Sequence, residues 1–459
     1  MSRKLNDPVS IEIEGEESYH DVASPAESYL EVTPAPAEKG IKKAYPSAAF
    51  LTIGMFAGYA SLFALQRPLL MLLHNKDDYL DHNESDPLFG TCCSLLYLGN
   101  LIFRLGHNFF FAFLKPRGRV YLAFTSMLCA EIVLFSSYAI FNGISYKLVA
   151  LAYGLGGMGI GSFEANLINI CTPINKKTKH YAVSAIPPGI VLITVGSFLA
   201  MSLNPALDKN PQVFYLMVIF FLVIGFIVLG FIIPKVDIKS QSIKLADFWG
   251  YIKEIKQWVG PVLPYAFAMM FNMLSVSFFS PGIVLYMFDK APVELNFGLW
   301  KMNVSYNAYI AIYNVFFFTG DFSSRRIFFN RKKFNPFWYF AITLSGALAG
   351  FSDVGSVALW TGFAVAFANG AIYVQAVSHI DDKIKKKYNL IALSFWLFIG
   401  DFGSVIGSNL IQIIKKKFFS HLEKSASTFA LASLSNYVAP NTSFGEYLAP
   451  QSVAHAWYY

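Results

Sequence analysis

Asp321 and Arg325 stand four residues apart at the end of a long apolar run, in the stretch YNVFFFTGDFSSRR from Tyr313 to Arg326. That spacing is one helical turn, so the carboxylate and the guanidinium share a helix face. Ionisable groups inside a membrane segment are expensive and usually face a bundle interior or a water-filled path. The pair reads as a buried polar site. Arg325 would present a planar fork of donors to hydroxyl or carbonyl oxygens, and Asp321 would accept from hydroxyls and hold Arg325 in place. An alternative stays open at this point: Arg325 and Arg326 anchor the helix end at a cytoplasmic surface, with Asp321 as their surface partner.

Other polar residues interrupt the apolar runs. Arg104, His107 and Asn108 lie in the second run, Glu131 in the third, and Glu164, Asn166 and Asn169 in the fourth. Asn272, Asn307, Asn314, Asn369 and Asp401 lie in later runs. A single intramembrane Asn is more often an interhelical hydrogen bond than a ligand contact. Glu164 is the third site candidate, with Arg104 as a possible neutralising partner; Glu164 and Asp401 are the candidates for proton coupling. The glycines before Glu164 (Gly154, Gly156, Gly157, Gly159 and Gly161) read as a seam for close helix packing. Pro187, Pro188 and Gly189 interrupt the fifth run, and Pro281 and Gly282 the seventh. Such breaks free backbone carbonyls and either line a transport site or serve as static kinks. Cys92, Cys93, Cys129 and Cys171 have neither metal-site nor disulfide spacing and read as buried free thiols. Walker, dinucleotide, HExxH and nucleophile-elbow motifs are lacking, so the chain is not read as an enzyme, and no cofactor is expected.

These residues need a scaffold, and the composition says which. Of 459 residues, 55% are hydrophobic and only 14% charged, with mean hydropathy +0.46. The sequence predicts an all-α polytopic membrane protein with about eleven spans: 46–73, 88–114, 120–141, 148–171, 181–203, 213–234, 258–288, 304–324, 336–351, 357–378 and 390–414. The polar stretch 235–257 divides them six and five. The expected organisation is therefore a disordered tail (1–44), an N-terminal six-helix bundle (45–234), a cytoplasmic linker (235–257), a C-terminal five-helix bundle (258–414) and a C-terminal tail (415–459), in a layout like the major facilitators. With the N-terminus inside, lysines and arginines concentrate on the inner loops, as the positive-inside rule requires. The net charge of +7 is thus a membrane feature and does not point to nucleic acid. The sequons at Asn83, Asn303 and Asn441 then all fall outside, as N-glycosylation candidates; Lys415, Lys416 and Lys417 disagree with that topology.

GDFSSR (Gly320 to Arg325), FFSPGI (Phe278 to Ile283) and AFANG (Ala366 to Gly370) resemble motifs of the equilibrative nucleoside transporters on the eighth, seventh and tenth spans. The resemblance implies alternating-access movement of nucleosides or nucleobases, facilitative or proton-coupled, with Asp321 and Arg325 gripping the solute. It also brings in Asn369, Glu164 (where the family often has Gln) and Gln66, which lies near the place of a family Trp. A second resemblance, to the battenin family, rests on GAIYVQAVSHI (Gly370 to Ile380) and on GIGSFEANL followed by HYAVSAIPPG. FTGDFSSR is also close to a battenin stretch, although that stretch lacks the Asp. The expected partners are a small-molecule solute and the lipid bilayer. The expected location is the plasma membrane, or an endolysosomal membrane under the battenin-like reading. The competing class is a non-transporting membrane scaffold.

Overall fold

The computed structural model describes residues 43–74, 87–204, 206–235, 245–279, 292–298, 300–329, 335–352 and 354–411. Both tails beyond these bounds, the sequons Asn83 and Asn441, the Pro281–Gly282 break and residues 236–244 of the linker lie outside the described residues.

Helices occupy every place where the sequence predicts a span. They are α1 (Ala48–Ala64), α2 (Gln66–His74), α3 (Pro87–Phe110), α4 (Pro116–Ala139), α5 (Tyr146–Cys171), α6 (Lys176–Ser184), α7 (Ile186–Leu203), the single turn α8 (Ala206–Lys209) and α9 (Gln212–Ile227). After them come α10 (Leu245–Lys253), α11 (Val259–Phe278), α12 (Tyr306–Phe329), α13 (Pro336–Ala349), α14 (Gly355–Lys383) and α15 (Lys386–Ile411). Among the described residues, eight helical segments are long and apolar enough to cross a membrane. Large apolar side chains point outward, as on a lipid-facing surface: Phe113 is 80% exposed, Leu203 79% and Phe231 88%. The chain is an integral, multi-pass membrane protein.

Prolines set the breaks. A proline lacks the N–H that would bond the carbonyl four residues back, and its ring crowds that carbonyl. Pro68 therefore separates α1 from α2 at Leu65, and Pro187 and Pro188 separate α6 from α7 at Ala185. Pro116 and Pro336 instead occupy first-turn positions of α4 and α13, where the missing N–H costs nothing. Ser145, Asn175 and Asn335 cap α5, α6 and α13 by accepting a backbone N–H each.

In the first half of the chain, α5 packs between α3 and α4, and α1 packs on α7 and α9. In the second half, α14 packs against α11, α12 and α13. The seam between halves runs along α7 and α12. The α3–α5 approach is close because Gly157 leaves no side chain in the way: a Cβ there would sit 2.5 Å from the Leu96 carbonyl. The glycine seam is thus a packing device, as its composition indicates.

One element has no counterpart in the sequence reading. Strands β1 (Val293–Asn296) and β2 (Lys301–Val304) form an antiparallel hairpin with Val293 opposite Val304, and Gly298 takes the left-handed conformation (φ +82°) in its connection. Val293 and Leu295 pack inward with Tyr309, Tyr313, Ala358 and Leu359, against the start of α14. Asn303 is exposed on β2.

Candidate functional site

Asp321 and Arg325 are both 1% exposed. The two side chains are joined by paired hydrogen bonds: Nε donates to Asp321 Oδ1 at 2.9 Å, and one terminal nitrogen donates to Oδ2 at 3.2 Å. The remaining terminal nitrogen of Arg325 donates to the Val183 carbonyl at 3.4 Å. Pro187, four residues on from Val183, has no N–H to give that carbonyl the usual helical bond. The break between α6 and α7 therefore supplies an acceptor to the guanidinium across the seam. Arg326 faces outward over the Phe322 ring at 4.7 Å. Burial thus speaks against the surface-anchor reading for Arg325 and Asp321, whereas Arg326 is exposed.

The pair sits where α12 and α14 approach closely. Gly370 makes this possible, since a Cβ there would lie 2.5 Å from the Asp321 carbonyl oxygen. The Asn-Gly step singled out in the sequence is, on its Gly side, a docking face for Asp321.

A second charged group lies beside the first. Arg104 on α3 binds Glu164 on α5 through one terminal nitrogen and Asp401 on α15 through Nε at 2.5 Å. Arg104 is 4% exposed, and each carboxylate 6%. Arg104 also donates to the Ile160 carbonyl at 3.4 Å. Asp401, expected from its run to be a proton-coupling group, thus shares one guanidinium with Glu164.

Tyr373 on α14 joins the two groups. Its hydroxyl donates to Glu164 Oε1 at 3.3 Å, and its ring lies under the Arg325 guanidinium at 4.5 Å. Trp396 of α15 braces the ring edge-to-face at 5.1 Å. The result is a continuous buried chain, Asp401–Arg104–Glu164–Tyr373–Arg325–Asp321. It holds three carboxyl groups against two guanidiniums, an excess of one negative charge when all are ionised. Asn369 lies one helical turn before Tyr373, half-buried, with its side-chain oxygen unpartnered. Gln66 begins α2, half-buried, and no described hydrogen bond or ion pair ties it to the chain of charges.

The sequence reading missed Tyr373. The available signal was its place four residues after Asn369, on the same helix face. Neither Lys179 nor Asp381 figured among the candidate site residues. In the structure they pair across the seam, from α6 to α14, and Asn389 donates to the second Asp381 oxygen at 3.3 Å. Nearby, Glu254 accepts from Tyr388 and Lys387, and these two bonds hold its carboxyl below the usual carboxylate range. At the other end of the α6–α7 span, Ser202 meets Ser305, which follows β2, at 3.4 Å. Between these ends, α7 and α12 enclose a crevice of about 10 Å³ lined by Pro187, Thr194, Asn314 and Asp321. That is room for one water and not for a solute. Lys179–Asp381 and Ser202–Ser305 thus bridge the seam on either side of this crevice.

Two further residues clarify the expectations. Asn272 donates to Thr343 at 3.0 Å and to the Val365 carbonyl at 2.9 Å, so it is an interhelical tie. Cys92, Cys93 and Cys171 are buried, but Cys129 is exposed on the outer face of α4, which corrects the expectation of four buried thiols. An apolar outer face needs no burial in protein when lipid covers it.

No protein-family model and no curated protein matches the sequence. Solved structures do match the fold. A POT family transporter in complex with a thioalcohol-conjugated peptide aligns with TM-score 0.57 at 14% identity, covering 84% of this chain and 94% of that one. The E. coli fucose:proton symporter aligns with TM-score 0.55 at 14% identity, over 83% and 92%. A second structure of that symporter, a Major Facilitator Superfamily transporter in the outward conformation, aligns with TM-score 0.53 at 15% identity, over 80% and 91%. Identities this low speak to architecture alone. The chain has the all-α, multi-pass fold of the major facilitators.

Proposed function

We propose that this chain is a membrane transporter that moves a small polar solute by alternating access, coupled to protons. One observation carries the reading: a buried chain of six ionisable groups, five of them charged when ionised at neutral pH and the sixth Tyr373, crosses from α3 and α5 in the first half to α12, α14 and α15 in the second. Rocking residues 45–234 against 258–414 would break Arg104–Asp401 and the Arg325 contact with Val183, while Arg104–Glu164 and Arg325–Asp321 would stay within their own halves. A charged link that reforms on each cycle couples the halves to whatever binds between them. The odd negative charge supports proton coupling. Two carboxylates compete for Arg104, and a proton taken by Glu164 or Asp401 releases the guanidinium to the other.

The finer reading takes a nucleoside or nucleobase as the solute, on the resemblance of the Asp321–Arg325 segment. Arg325 and Asp321 would contact its hydroxyl or carbonyl groups, with Asn369, Gln66 and Glu164 as further contacts. The fold does not select this solute, since the matching structures include a peptide-bound transporter and a fucose symporter. The plasma membrane is proposed as the site, with an endolysosomal membrane as the alternative.

The test is uptake into proteoliposomes of labelled adenosine, hypoxanthine, a dipeptide and fucose, with and without an inward proton gradient. Saturable, gradient-driven uptake of any of these supports the transporter reading, and the panel chooses the solute class. Gradient-independent uptake that is unchanged in Asp401→Asn removes the proton coupling. Absence of uptake and of solute-dependent thermal stabilisation, in a well-folded preparation, favours the membrane scaffold.

A further inference from the structure

Glu131 on α4 stands apart from the charged chain and plays no part in the mechanism above. It is 0% exposed, and none of the described ion pairs includes it. Its Oε1 lies 2.6 Å from the Ser61 hydroxyl of α1, and its Oε2 is buried without a partner. The same Ser61 oxygen lies 2.7 Å from the Gly58 carbonyl oxygen.

The hydrogen count decides the protonation state. Two oxygens approach the Ser61 hydroxyl at hydrogen-bonding distance, and that hydroxyl carries one hydrogen. The Gly58 carbonyl has none to give, so it takes the serine hydrogen. The contact with Glu131 then needs a hydrogen of its own, and only the acid can provide it. The alternative leaves either the Gly58 or the Glu131 oxygen facing the serine oxygen at 2.6–2.7 Å with no hydrogen between them. The surroundings agree. Among the described residues, the titratable groups beside Glu131 are phenols: Tyr215 of α9 and, stacked on it at 5.7 Å, Tyr138 of Glu131's own helix α4. Among the described residues no cation pairs with Glu131, and an isolated buried carboxylate neutralises itself by taking up a proton.

We infer that Glu131 is a second proton-binding site, occupied by a resident proton that the carboxylic acid donates to Ser61. Both partners belong to helices of the first half, α1 and α4, so rocking the halves leaves the bond intact and the proton does not travel. The site is therefore a buried acid that cross-links two helices, distinct from the carboxyl groups that share Arg104.

Infrared difference spectroscopy on the purified protein tests this, comparing wild type with Glu131→Gln and Ser61→Ala. The expected result is a protonated-carboxyl C=O band at neutral pH that is missing in Glu131→Gln and shifted in Ser61→Ala, where its hydrogen-bond acceptor is gone. The band stays constant from mildly acidic to mildly alkaline pH. Carboxylate bands in its place, or a band that disappears across that range, overturn the inference. The glutamine amide keeps a donor at the same position, so Glu131→Gln should melt as the wild type does and retain the pH dependence of any uptake. Loss of that pH dependence in a folded Glu131→Gln protein also overturns it. Should Glu131→Gln fail to fold, the Ser61→Ala shift decides alone, and an unmoved band refutes the proposed bond.

Discussion

Arg104→Gln is the sharpest perturbation of the buried charges. In the native protein Arg104 sits 4% exposed between Glu164 and Asp401 and gives each a charge-assisted hydrogen bond. Glutamine removes the cation and leaves two carboxyl groups facing each other out of water. Each lost charge-assisted bond is worth about 1.5–3 kcal/mol. Together they match the cost of about 3–5 kcal/mol for stripping one partner from a buried ion pair. Asp401→Asn should cost less, below about 2 kcal/mol, because Arg104 keeps Glu164 and the cluster loses its surplus negative charge. The double variant Arg104→Gln/Asp401→Asn should then fall short of the sum by about 1–3 kcal/mol, the coupling typical of residues in one network. Thermal and denaturant unfolding of the detergent-solubilised variants reads all three. Additive effects, or an Arg104→Gln protein within about 1 kcal/mol of wild type by the same cycle, would refute the reasoning.

Three other outcomes follow from the geometry. Gly370→Ala drives a methyl group into the Asp321 backbone and should destabilise by about 1–3 kcal/mol while cutting solute uptake, measured as melting temperature and transport rate together. Lys179→Ala should loosen the α6–α14 end of the seam; the accessibility of a cysteine introduced next to Asp381 should rise, and no change would count against the pair as a bridge. Glu254, held ionised by Tyr388 and Lys387, has a folded value below its unfolded one. Its contribution is present above the ordinary carboxylate range and fades as pH falls through the lowered value. Glu254→Gln should therefore flatten the acid side of the stability profile, and an unchanged profile counts against the contact.

Much of the architecture is legible in the chain itself. Runs of about twenty apolar residues have no stable option in lipid except helices, and among the described residues a helix stands in each predicted run. The prolines announced the α6–α7 break for the same local reason, a missing N–H. The four-residue spacing put Asp321 and Arg325 on one face, because that relation is intrinsic to a single helix. The partnerships between helices were beyond it. Arg104 meets Asp401 across 297 residues and Tyr373 meets Glu164 across 209, and no local rule connects such positions. Whether a charge faces lipid, water or a partner depends on the rotation and neighbours of its helix. That is why adjacent Arg325 and Arg326 have opposite fates, and why Glu164 and Asp401 share a cation while Glu131 pairs with none among the described residues. Periodicity and spacing determined the helices and the candidate charges; only packing decided which charges neutralise one another, and that choice makes the candidate site.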